Sequence, residues 1–171
     1  MFTDTHCHIY KEYYENIDEI LKRALESNIN RVINNGCNRE SNKEVLALAN
    51  TYNNMYIALG IHPERADTYQ KEDLTFIEEN LSNPKVIAIG EIGLDYHYTK
   101  QNKTLQIKLL ESQLKIAETH NLPVIIHSRE ATEDTINTLK KYHVKGVIHS
   151  FSGSKGAALI YIKMGSEAKR S

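Results

Sequence analysis

About six times along its 171 residues the chain repeats one pattern: a short apolar run, then a stretch with apolar residues at helical spacing. Few folds accommodate that alternation. The runs are Met1–Thr3, Arg31–Gly36, Tyr56–Ile61, Val86–Gly90, Pro123–Ile126 and Gly146–Ile148. They are continuously apolar rather than alternating, as strands buried on both faces read in a parallel α/β sheet. Between them, Asn16–Asn28 carries Ile17, Ile20, Leu21, Ala24 and Leu25 behind the cap candidate Asn16, and Ser41 is a cap candidate for a helix bearing Val45, Leu48 and Ala49. Later helices are marked by Leu74, Ile77 and Leu81, by Lys103–His120, by Ile136 with Leu139, and by Ala158, Leu159 and Ile162. An open doubly wound sheet requires a glycine-rich phosphate turn after its first strand. That position holds Asp4-Thr5-His6-Cys7-His8 instead. The pattern therefore predicts a TIM (β/α)8-type barrel with about six βα units present, as a single domain over residues 1–171.

Charge narrows the function. A formal net charge of -1 excludes a broadly basic nucleic-acid binder, but not a nuclease that grips phosphate through metals and a few local Lys or Arg residues. Two cysteines, Cys7 and Cys37, with no CxxC spacing, suggest a reducing compartment. No basic leader with an apolar core and no membrane-spanning run is present, so the expected location is cytoplasmic, with no membrane partner.

In a barrel the C-terminal ends of the strands ring one site. The polar residues there are His6, His8, His62, Glu91, His127 and His149, which account for five of the eight histidines. On a strand, His6 and His8 project to one face and Cys7 to the other. Two imidazoles on one face, joined by others from later strands, suit a divalent transition metal. A carboxylate such as Glu91 is expensive to bury uncompensated. Two metals bridged by it satisfy it, and so does a salt bridge to a Lys or Arg. Asp4 and Asp95 suit either the orientation of an imidazole or bonding within a loop. Tyr96, Tyr98 and Phe151 are placed either to stack on nucleobases or to pack their loops. Arg65, Arg129 and Lys155 either meet a phosphate or remain solvated.

Five segments together resemble the TatD family of metal-dependent deoxyribonucleases, within the amidohydrolase-like metal hydrolases. They are Asp4-Thr5-His6-Cys7-His8, Gly60-Ile61-His62-Pro63, Ile89-Gly90-Glu91-Ile92-Gly93-Leu94-Asp95-Tyr96, Ile126-His127-Ser128-Arg129 and Ile148-His149-Ser150-Phe151-Ser152-Gly153. The resemblance implies a two-metal site in a TIM barrel. His6 and His8 would bind one metal and His127 and His149 the other, with Glu91 bridging. His62 would face the substrate phosphate, which makes Glu91 and His62 the catalytic candidates. The implied substrate is DNA, single-stranded or at a 3′ end, hydrolysed at phosphodiester bonds with two divalent ions. Imidazole ligands suit zinc or manganese better than magnesium, and the identity stays open among the three.

A barrel of this type typically runs to ~250 residues. The family also supplies an aspartate from a later strand that nothing here matches, and Ser166–Ser171 is polar and strand-poor. The chain is therefore expected to be incomplete at its C-terminus, with weak or no nuclease activity as it stands. Two alternatives accompany the nuclease reading. One is an amidohydrolase acting on a small cyclic amide or ester; the other is a metal-binding remnant without catalysis.

Overall fold

A computed structural model of the chain describes residues 1–97 and 100–167. Strands and helices alternate as β1 (Phe2–Cys7), α1 (Ile17–Glu26), β2 (Ile29–Asn35), α2 (Arg39–Thr51), β3 (Met55–Leu59), α3 (Lys71–Asn80), β4 (Val86–Asp95), α4 (Lys103–Thr119), β5 (Val124–Arg129), α5 (Thr132–Leu139), β6 (Gly146–Ile148) and α6 (Lys155–Glu167). Every strand pairs in parallel with its successor, in the order β1-β2-β3-β4-β5-β6. An open doubly wound sheet reverses its strand order partway; this one never does, which is the barrel topology. The sheet also curls. Strands lie about 4.8 Å apart, so a flat six-stranded sheet would hold its edges roughly 24 Å from each other. Yet His6 on β1 and His149 just past β6 stack with ring centroids 3.9 Å apart.

The main core lies between the outer face of the sheet and the helices, around Ile57, Leu59, Ile89, Ile92, Leu94, Leu110, Leu114 and Ile126. The inner face carries a separate, smaller layer of Ala58, Ala88 and Ile125 with Ile33 against it. These two sets expose a slip in β4. Ala88 faces inward and Ile89 outward, and a side chain at Gly90 would run into the inward Ile125. Glu91 also faces inward, while Ile92 and Leu94 return to the outer core. The strand register shifts between Ile89 and Ile92, so two consecutive residues point to the same side. The strand expected to stop at Gly90 therefore continues to Asp95, with Glu91 in its middle.

One helix-cap expectation holds and another is corrected. Asn16 does cap α1, accepting from the Glu19 amide at 3.1 Å. At α2 the cap is Asn38, not Ser41: Asn38 accepts from the Ser41 amide at 2.8 Å, and the Ser41 hydroxyl accepts in return from the Asn38 amide at 3.0 Å. On α6, which the apolar markers correctly located, Leu159 and Ile162 are exposed. The tail beyond residue 167 and Tyr98 lie outside the described residues. Among the described residues no helix is long and apolar enough to cross a membrane.

Four fully buried side-chain amides fix the chain where it leaves the strands. Asn34 accepts from the Ile9 amide at 2.8 Å and donates to the Ile9 carbonyl at 2.8 Å. Asn42 does the same for Gly60 (3.1 and 2.9 Å), Gln113 for Ile61 (2.7 and 3.0 Å) and Gln106 for Asp95 (2.8 and 2.8 Å). Each amide imitates a neighbouring peptide, so both backbone groups are satisfied away from any ladder.

Candidate metal centre

The clamped residues adjoin the strand-end histidines: Ile9 follows His8, and Gly60 and Ile61 precede His62. All of these side chains converge on Glu91, which is 3% exposed. Its Oε2 lies 3.1 Å from His6 Nε2 and 2.9 Å from His8 Nε2. Its Oε1 lies 2.9 Å from His127 Nδ1, 2.6 Å from His149 Nε2 and 3.7 Å from His62 Nε2. Each carboxylate oxygen thus faces its own pair of imidazoles. Among the described residues every ion-pair partner of Glu91 is a histidine; the lysine or arginine of the salt-bridge alternative does not stand there.

A second ring of contacts sets which nitrogen faces inward. Asp95 Oδ2 lies 2.9 Å from His127 Nε2, which places the proton on Nε2 and turns the Nδ1 lone pair toward Glu91. His62 is arranged the other way. Its Nδ1 accepts from the Glu64 amide at 3.4 Å, so its proton sits on Nε2, the nitrogen facing Glu91. His8 Nδ1 is 2.9 Å from the Tyr10 hydroxyl and 3.1 Å from the Asn35 carbonyl. Asp4 bonds its own strand, accepting from the His6 amide at 3.0 Å rather than holding an imidazole. Cys7 points away and donates to the Ile33 carbonyl, and burial, helped by the charge of Asp4, pushes its thiol up to about 12.

The sequence reading passed over Tyr10, Asn35 and Cys37. Cys37 Sγ lies 3.8 Å from His8 Nδ1 and 3.9 Å from Glu91 Oε2. Tyr10 sits two residues beyond His8, a spacing that on an extended chain was the available signal. Of the aromatic candidates, Tyr96 is buried, donates to Asp134 at 2.8 Å and lies under Lys103; it packs its loop. Phe151 is 40% exposed, edge-on to Tyr161. Arg65, Arg129 and Lys155 are exposed, and Arg65 lines a cleft of about 370 Å³ together with His8, Tyr10, Cys37, His62 and Glu91. Glu12, Glu40, Glu44 and Glu64 line the same cleft, giving this approach an acidic rim. An apolar cavity of about 360 Å³ between β5, β6, α5 and α6 touches none of the residues around Glu91.

Electrostatics follow from the geometry. Burial opposes ionisation of Glu91, but its close contacts with the imidazoles of His127, His149, His6 and His8 outweigh it and hold the carboxyl well below the usual carboxylate range. Burial likewise opposes a charge on His8, yet its bonds to Cys37 and Glu91 raise it to about 10. His127 is raised too, against burial, by Glu91 and Asp95. His62 is pushed down to about 4 by burial, with the Glu91 charge opposing and that of His127 adding, so it stays neutral.

The donor set fits a divalent cation. His6 Nε2 is buried and makes no hydrogen bond despite its 3.1 Å approach to Glu91, an orphan that a cation would satisfy. The ligand atoms of His6, His8 and Glu91 lie within 4.8 Å of one another, as do those of His62, Glu91 and His127. Mixed imidazole and carboxylate donors are zinc- or manganese-like rather than magnesium-like. Such a cation competes with protons. His8 retains its proton up to about 10, so cation binding near neutral pH is expected to expel at least one proton. Affinity should then climb as pH rises from neutrality toward that value. Calorimetry in two buffers of different ionisation enthalpy measures the release, and identical heats in both would contradict it.

A sequence model of the family described as TatD related DNase matches residues 3–167. An uncharacterized metal-dependent hydrolase, YabD of Bacillus subtilis, is 38% identical over 168 residues, covering 96% of this chain and 66% of that protein. Deoxyribonuclease Tat-D of Schizosaccharomyces pombe is 36% identical over 82% of this chain and 50% of its own length. The 3'-5' ssDNA/RNA exonuclease TatD of Shigella flexneri is 29% identical over 84% of this chain and 56% of its own. The crystal structure of YJJV, a TatD homolog from Escherichia coli, superposes with a TM-score of 0.90 at 35% identity, over 96% of this chain and 65% of that one. The chain thus spans 66% or less of the length of these relatives.

Proposed function

The chain belongs to the TatD related DNase family, and on that premise we propose that it carries the cation-binding centre of a phosphodiesterase acting on DNA. The single observation that supports this best is the division of one buried carboxylate, Oε2 facing His6 and His8 and Oε1 facing His127 and His149. In this reading His6 and His8 would hold one divalent ion and His127 and His149 a second, with Glu91 shared between the two sets. When bound, such ions lend Lewis acidity to a water and to the oxygens of a phosphodiester.

The remaining roles belong to the chain itself. Glu91 stays ionised and keeps the two halves at one spacing. Asp95 holds the His127 ring so that its lone pair, not its N–H, faces the centre. His62 contributes an N–H that remains available at every pH above its depressed value, which suits a donor to a phosphoryl oxygen. Relatives named as deoxyribonuclease and as 3'-5' ssDNA/RNA exonuclease favour a single-stranded end as substrate. The amidohydrolase alternative is supported less, because Glu91 rather than a lysine occupies the central strand.

Metal analysis and digestion of a labelled single-stranded oligonucleotide, with and without chelator, test the proposal. Bound divalent cation is the expected result, and what hydrolysis this chain supports, weak without a match to the family's later aspartate, should shorten the 3′ end only in the cation's presence. A chain that binds no cation, or hydrolysis that survives chelation, sinks it.

A further inference from the structure

His8 has an unusual neighbour. Tyr10 leaves β1 two residues later and folds back, its ring 5% exposed and 5.6 Å from the His8 ring. Ile9, between them, is held at both backbone groups by Asn34, so the return of the chain is fixed. The Tyr10 hydroxyl donates to the Asn35 carbonyl. His8 Nδ1 faces both oxygens, at 2.9 Å from the hydroxyl and 3.1 Å from the carbonyl.

The logic of donors and acceptors then selects one tautomer. A carbonyl oxygen only accepts. The hydroxyl has committed its proton to that carbonyl, so toward His8 it too can only accept. Both neighbours of Nδ1 are acceptors, and Nδ1 must carry a proton. The nitrogen left to offer a lone pair is Nε2, 2.9 Å from Glu91 Oε2. Cys37 Sγ, at 3.8 Å from both the hydroxyl and Nδ1, is a weak partner to either, and the Asn35 carbonyl, which can only accept, still claims the Nδ1 proton.

We propose that Tyr10, acting with the Asn35 carbonyl, is a positioning residue that locks His8 with its proton on Nδ1 and its Nε2 lone pair facing the cation. The inference rests on the cation-binding reading given above. It also makes the two halves of the centre different in kind: His127 is oriented by the carboxylate of Asp95, His8 by a neutral phenol and a peptide carbonyl.

The test is a Zn2+ titration of the full chain by calorimetry, comparing the wild type with Tyr10→Phe, together with thermal unfolding of both without metal. Loss of a partner of a ligating histidine weakens metal binding by about tenfold or more. That loss is expected for Tyr10→Phe, beyond any shift in the unfolding midpoint, which reads the structural part alone. Equal Zn2+ affinity in the two proteins overturns the inference. Nitrogen-15 correlations of the zinc-loaded wild type provide a readout that does not depend on the variant folding. Coordination through Nε2 with a proton on Nδ1 supports the lock, and coordination of His8 through Nδ1 overturns it. If the wild type binds no Zn2+, the cation reading itself fails and this inference falls with it, a result distinct from equal affinities.

Discussion

Glu91→Gln is expected to abolish cation binding while leaving the fold in place. The amide keeps the shape of the side chain, so the inward packing of β4 survives. It removes the negative charge, however, and turns one of two acceptor oxygens into a donor. Whichever way the amide is oriented, one imidazole pair then stands beside an N–H, which cannot ligate a cation, where the carboxylate offered an oxygen. Losing a charge-assisted contact on both halves is worth about 4 kcal/mol, or roughly a thousandfold in affinity. Any cation-dependent hydrolysis should drop by at least as much. His8, no longer drawn upward by the carboxylate, should return toward an ordinary histidine value. Metal content after dialysis, read beside circular dichroism, checks the result. A folded Glu91→Gln protein with the wild-type cation content would refute the bridging role.

The second large effect lies two residues along the same strand. Gly93 pairs with His127 across β4 and β5 and adopts φ 150°, where residues with side chains are strained. A Cβ there would sit 1.9 Å from the His127 carbonyl oxygen. Gly93→Ala must therefore both strain the backbone and pry β5 from β4 where Glu91 and His127 meet. Strain and overpacking together should remove about 4 kcal/mol of stability. In a protein of this size that corresponds to a thermal midpoint lower by roughly 10 °C. A midpoint within a degree or two of the wild type would show that the strands part easily here.

The sequence revealed the architecture and most of the centre because both rest on periodicities. Continuous apolar runs separated by helical stripes give sequential βα units, and the side-chain alternation of a strand correctly puts His6 and His8 on one face. The limits appear where local rules are broken by contacts distant in sequence. Glycines at 90 and 93 read as the end of a strand, whereas the register slip between Ile89 and Ile92 carries β4 on to Asp95. Alternation counted from Ala88 would have sent Glu91 outward into the helices. Tyr10 and Asn35 meet across 25 residues, and nothing in either local sequence announces the other. Tyr96 resembles a stacking platform in the linear text because burial beneath Lys103 and the bond to Asp134 exist only in the folded chain. At α2, Asn38 and Ser41 are both good caps, and the reciprocal bonds between them decide which one occupies the end.

The four buried amides have a consequence for the chemistry they surround. In the proposed reading, a divalent cation replaces protons around Glu91 and changes the local charge. A scaffold held by ion pairs would feel that change and shift with it. Asn34, Asn42, Gln106 and Gln113 carry no net charge and titrate at no accessible pH, and each returns a donor for every acceptor it uses. The frame is electrically silent, so the loops bearing His8 and His62 and the strand end at Asp95 keep their places while the centre is loaded and emptied.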